Sequence, residues 1–82
     1  MMELQKGMVV RSTAGKEKNG FYLVTAIEDG CVLIADGKRR TLESPKRKNI
    51  RHIRLTNTVW ETEHLTDRAL RRMLREYAQT GR

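Results

Sequence analysis

Apolar positions fall in short runs over the first two-thirds of the chain and in a helical stripe over the last third. Met8-Val9-Val10, entered from Gly7 and followed by Arg11-Ser12, predicts a short first strand. Thr13 to Gly20 is polar, with Gly15 and Gly20 in it, and predicts a loop. Phe21–Ile27 is the longest apolar stretch, and Glu28-Asp29-Gly30 separates it from Cys31-Val32-Leu33-Ile34-Ala35. Two β-rich runs joined by Asp-Gly predict a hairpin with a tight primed turn, in which both central residues take positive φ. With Glu28 opposite Cys31 and Ile27 opposite Val32, one face carries Tyr22, Val24, Ala26, Cys31, Leu33 and Ala35. The other carries Phe21, Leu23, Ile27, Val32 and Ile34. A half-exposed sheet alternates apolar with polar residues. Here both faces are apolar, so one is expected to line an interior and the other to be covered.

A second Asp-Gly pair, Asp36-Gly37, predicts a return into a fourth strand over Lys38–Glu43, ended by Ser44-Pro45. Lys46-Arg47-Lys48-Asn49 then reads as a basic loop. Ile50–Leu55 alternates and predicts a fifth strand, and Thr56–His64 reads as a connector containing Trp60. Thr66-Asp67 has the capping residue and first-turn acid of a helix start. Beyond it Leu70, Met73, Leu74, Tyr77 and Ala78 fall on one stripe, with Arg68, Arg71, Arg72 and Arg75 off it. A helix of about 13 residues is marginal alone, so the stripe is expected to dock on the outer hairpin face. The expected fold is mainly β: a small five-stranded barrel over residues 1–56, then a connector and a packed C-terminal helix over residues 57–82.

The chain has 82 residues, enough for one domain, and a core too thin to enclose a large cavity. Its net charge of +7 sits in one stretch: residues 38–56 carry eight Lys/Arg against one acid, while the segments before and after nearly balance. Charge gathered in one place points to an anionic partner rather than to solubility. One cysteine, Cys31, permits no internal disulfide, which fits a reducing compartment. No apolar run approaches the ~18 residues of a membrane span, and the first residues lack the apolar stretch of a signal peptide. The expected location is cytoplasmic, without membrane association.

The segment Gly7-Met8-Val9-Val10-Arg11-Ser12-Thr13-Ala14-Gly15-Lys16-Glu17-Lys18-Asn19-Gly20 resembles a KOW motif, in which a strand enters a Gly/Lys loop and leaves through a second glycine. Asn19 stands where many such loops carry glycine, and Asn accepts left-handed geometry better than other residues with a Cβ. The basic run Asp36-Gly37-Lys38-Arg39-Arg40-Thr41-Leu42-Glu43-Ser44-Pro45-Lys46-Arg47-Lys48-Asn49 adds to the likeness. Together they are similar to bacterial KOW-domain RNA-binding proteins, themselves similar to large-subunit ribosomal proteins of archaeal and eukaryotic type. The resemblance covers about residues 5–56. It implies an SH3-like barrel and RNA or ribosome binding.

Lys38, Arg39, Arg40, Lys46, Arg47, Lys48, Arg51 and Arg54 are the candidate RNA contacts, with His52 among them and Lys16 and Lys18 on the Gly-containing loop. Cations that neutralise phosphates release counterions, and arginine also forks onto phosphate. Replacing Lys46, Arg47 and Lys48 by alanine is expected to weaken binding and spare the fold. Aromatic residues are few, so structured RNA read by shape and phosphate is favoured over stacked single strands. A nucleotide-binding P-loop requires Lys-Ser/Thr after its second glycine, whereas Phe21-Tyr22 follows Gly20. Cys31, His52 and His64 lack metal-ligand spacing, and no set of residues suggests catalysis. The expectation is a cofactor-free, non-enzymatic monomer that binds RNA, ribosomal RNA or the large ribosomal subunit foremost. The competing reading is a protein-interaction module of transcription or translation machinery.

Overall fold

The computed structural model describes residues 3–80, in which five antiparallel strands form one sheet and a C-terminal helix packs across it. The strands are β1 (Met8–Ser12), β2 (Phe21–Glu28), β3 (Cys31–Ala35), β4 (Lys46–Asn49) and β5 (Ile53–Val59), and the helix is α1 (Asp67–Thr80). Their order in the sheet is β4-β3-β2-β1-β5. The first four form a meander, a 3-10 turn over Ile50–His52 follows, and β5 returns to pair with β1. The sheet stays open between β4 and β5, which are its two edges.

Each face of the sheet has its own apolar cluster, as the doubly apolar hairpin requires. On one face Met8, Val10, Val24, Val32 and Ile34 are buried, with Leu4, Tyr22, Ile53 and Val59 against them. On the other, Val9, Leu23 and Ala35 meet Leu70 and Leu74 of α1, with Phe21, Trp60, Leu65 and Tyr77 around them. β1 serves both clusters because successive strand side chains point to opposite faces. Burying Leu70 and Leu74 contributes roughly 1.5–3 kcal/mol each. The helix starts where its sequence signal lies, since Thr66 Oγ1 accepts the Ala69 N–H at 3.1 Å. Trp60 is part of the packing under α1, edge-on to Tyr77 with ring centroids 5.9 Å apart.

Four features differ from the sequence expectation. First, β2 bulges at Thr25. The register runs Ile27↔Val32 and Ala26↔Leu33, then jumps to Val24↔Ile34 and Leu23↔Ala35. A slip of one residue exchanges the two faces. Tyr22 and Val24 therefore join Val32 and Ile34, while Phe21 and Leu23 join Ala35. The Thr25 hydroxyl donates to the Leu33 carbonyl at 3.2 Å across the irregularity. Second, the hairpin turn has positive φ at Gly30 (70°) and not at Asp29, so it is not the doubly left-handed turn expected.

Third, no strand forms over Lys38–Glu43. Asp36 Oδ1 accepts the N–H groups of Lys38 and Arg40, both at 2.9 Å. The Arg40 carbonyl in turn accepts the N–H groups of Asp36 and Gly37. The loop is closed on itself, and its amides are withdrawn from any ladder. Fourth, the expected loop Lys46–Asn49 is β4, paired Val32↔Lys48 and Ile34↔Lys46. An edge strand made of Lys, Arg and Asn resists pairing with other chains. The expected fifth strand over Ile50–Leu55 begins only at Ile53 and runs on to Val59, through residues read as connector.

Candidate nucleic-acid interface

The loop between β1 and β2 is drawn together at its base. Ser12 and Gly20 bond through the Ser12 N–H at 2.9 Å, and the Asn19 N–H reaches the Ser12 carbonyl at 2.7 Å. Asn19 takes the left-handed conformation (φ 74°) expected of it. Within the loop a 3-10 turn over Gly15–Glu17 aims Glu17 inward. Its side chain is 10% exposed, and its carboxylate receives the Lys48 ammonium at 2.9 Å. The same ammonium donates to the Ala14 carbonyl at 2.7 Å. The hydrogen bond from Lys48 holds the Glu17 carboxyl below its ordinary value, against the opposing effect of burial and with help from the Lys48 charge.

This contact divides the basic run that the sequence presents as one arm. Lys48, expected among the contacts, is buried and its charge is satisfied internally, so its ammonium is not presented at the surface. Arg40 lies 3.9 Å from Glu17, and Arg47 pairs with Glu28 at 2.7 Å. Lys46, half-buried, adds its field to Glu17. Lys38, Arg39, Arg51, His52 and Arg54 remain exposed, as do Lys16 and Lys18. Arg51 and His52 lie in the 3-10 turn before β5 rather than on a strand. That turn abuts the Lys16/Lys18 loop through a bond from the Thr13 N–H to the His52 carbonyl at 2.9 Å.

The exposed cations continue onto elements the sequence reading left out. Arg11 on β1, Lys18 and Arg54 line one shallow depression with Asn19. Asn19 also lines the next, with Lys38, Asp36, Arg71 and Arg75. Arg71 and Arg75 then border a third with Arg68 and Arg72. Shared walls make these three depressions one face. It holds eight cations, and Asp36 is the one acid among the side chains that line it. That carboxylate is already engaged by two backbone N–H groups. Among the described residues none of the eight cations has a carboxylate within ion-pair distance. Arg71 donates to the Gly37 carbonyl and Arg11 to Asn19 Oδ1, both at 3.3 Å.

The helix arginines recur at i, i+3, i+4 and i+7, which gathers them on one side. Like charges at that spacing cost roughly 0.2–0.5 kcal/mol per pair. Gathered on one side, the four guanidinium groups make a concentrated positive field. The signal was present in the sequence as the off-stripe positions of the amphipathic pattern. It was masked because Glu61, Glu63, Asp67 and Glu76 nearly cancel the charge when the C-terminal segment is counted as a whole.

Other chemistry-bearing residues stand apart. Cys31 is a half-buried free thiol at the start of β3, and His52 and His64 are exposed. No cluster of three or more metal-ligating side chains occurs among the described residues. No described helix is long and apolar enough to cross a membrane. Comparison with known proteins returns no matching family model and no matching curated protein.

Proposed function

We propose that this chain is a non-catalytic RNA-binding protein of KOW type, built as a small SH3-like barrel. Two observations support the barrel reading: the strand order β4-β3-β2-β1-β5, and a 3-10 turn between the last two strands. The left-handed Asn19 in the Gly/Lys loop supports the KOW reading. The observation that carries RNA binding is the face of eight cations without a carboxylate partner among the described residues, formed by α1, the loop before β2, the Asp36–Arg40 loop and the neighbouring ends of β1 and β5. Phe21, Tyr22, Trp60 and Tyr77 all pack against the two clusters, which leaves no row of aromatic platforms for successive bases among the described residues. Structured RNA gripped through its phosphates is the substrate this favours, with ribosomal RNA and the large ribosomal subunit as the partners the resemblance implies.

The test is a titration of the full chain with a structured RNA across salt concentrations. Five or more phosphate contacts give a log-log slope steeper than about −3.5, and affinity falls about a hundredfold between 50 and 200 mM salt. Co-sedimentation with large ribosomal subunits at low salt, lost at high salt, is the matching result in extracts. A nearly flat salt response, or stronger binding to duplex DNA than to structured RNA, contradicts the reading.

A further inference from the structure

Beside the basic face, a groove of about 450 Å³ runs between β5 and the C-terminal part of α1. Its surface is mostly apolar, and no carboxylate lines it. Leu55, 41% exposed, forms part of it, with the rings of Phe21 and Tyr77 set edge-to-face at 5.2 Å. Arg11 and Arg54, register partners on β1 and β5, line it too, and the Arg11 guanidinium lies 5.9 Å from the Phe21 ring centre. The two arginines also belong to the basic face, so the groove opens from it.

The backbone shapes this groove. Between Leu55, opposite Val10, and Val59, opposite Met8, β5 carries three residues against one on β1. Such a bulge re-aims side chains, and bulges are over-represented at sheet edges such as this one and next to active sites. Thr56 is fixed by a bond from its hydroxyl to the Val9 carbonyl at 2.6 Å, and Thr58 Oγ1 donates to the Tyr77 hydroxyl at 3.3 Å. Asn57, between them, is exposed, and its amide carries both a donor and an acceptor.

An apolar slot bordered by two cations, with an amide at its wall, matches one nucleotide. A flat base fits the slot and phosphates fit the cations. We infer that this groove takes a single unpaired base extruded from the bound RNA, with its flanking phosphates on Arg11 and Arg54 and its polar edge toward Asn57. The inference rests on the RNA reading above and specifies what that RNA presents: a stem with an unstacked nucleotide. Charge complementarity selects this occupant over an apolar peptide side chain, since nothing in the groove neutralises the arginines.

The experiment compares two RNA hairpins, one fully paired and one with a single-nucleotide bulge carrying 2-aminopurine, each titrated with the full chain. The bulged hairpin binds about tenfold tighter, the order expected for stacking one base, and the 2-aminopurine emission changes on binding. The exposed-residue variant Leu55→Ser with Asn57→Ala loses this preference but keeps its affinity for the paired hairpin and its salt slope. Equal affinity for both hairpins with unchanged emission overturns the pocket and leaves RNA binding intact. Failure to bind either hairpin removes both readings. Binding of an acidic leucine-containing peptide in place of either RNA reassigns the groove to a protein partner.

Discussion

At the scale of single residues, Glu17 and Lys48 determine which part of the basic run is structure. Removing one member of a buried pair leaves the other charged, poorly solvated and without its partner. Glu17→Gln is expected to destabilise the fold at pH 7, by less than the roughly 3–5 kcal/mol of a fully buried pair because so small a chain covers this one thinly. Since the folded carboxyl titrates below its ordinary value of 4.5, its stabilisation is present above that pH and is lost as pH falls through the lowered folded value. The difference between wild type and Glu17→Gln in urea unfolding is therefore large at pH 7 and shrinks in acid below about 4.5. A gap of constant size across that range counts against the ion pair as its source. The earlier expectation that Lys46, Arg47 and Lys48 can all become alanine without harm to the fold changes accordingly, because it includes Lys48. Nothing in a linear charge count distinguishes a lysine whose stem lies beside Val32 from one in solvent; the partner, Glu17, is 31 residues away.

At the scale of elements, α1 is held by its apolar stripe and by the loop that replaced the expected strand. Gly37 takes a left-handed conformation (φ 79°) against the first turn of α1, where a Cβ would overlap the Asp67 carbonyl oxygen. Leu42 N–H bonds Asp67 Oδ1 at 2.8 Å, and so ties the same turn to the loop. Gly37→Ala is expected to lose at least about 2 kcal/mol, from strain and overlap together, in thermal or urea unfolding. Leu70→Asp with Leu74→Asp undocks the helix: the far-ultraviolet helical signal falls and emission from Trp60, the single tryptophan, moves to the red. Unchanged emission means that the stripe does not hold the ring in place. The helix, its cap and its docking face were legible in the sequence because periodicity and capping are local signals. The bulge at Thr25 was not, because two apolar faces give no penalty for exchanging them. β4 was hidden for a different reason. Its residues carry no apolar pattern, and its one buried side chain, Lys48, is met by a carboxylate from another loop.

At the scale of the whole molecule, two populations of positive charge differ in their partners. One is engaged by the fold's own carboxylates: Lys48 inside by Glu17, Arg40 at the margin of that same carboxylate, and Arg47 at the surface by Glu28. The other is spread over one face where Asp36 is the one lining acid, and half of it comes from a helix within a C-terminal segment whose charges nearly balance. The excess over residues 38–56 thus maps only part of the molecule's exposed positive charge. Phosphate contacts by different cations contribute separately to the salt dependence, at roughly 0.7–0.9 units of slope per phosphate. Two variants with similar charge loss should then behave differently. Arg68→Gln with Arg72→Gln and Arg75→Gln removes three cations of the second population and flattens the slope by about two units, with thermal stability unchanged or slightly raised because like-charge repulsion is relieved. Arg71 is left in place because it also bonds the Gly37 carbonyl. Arg40→Gln with Arg47→Gln removes cations already paired with carboxylates and leaves the slope near that of wild type. Equal flattening by the two variants would mean that RNA competes successfully for the internal partners and that the contact surface extends over both populations. Flattening by the second variant alone would move the interface off the helix and back to the arm outlined by the sequence.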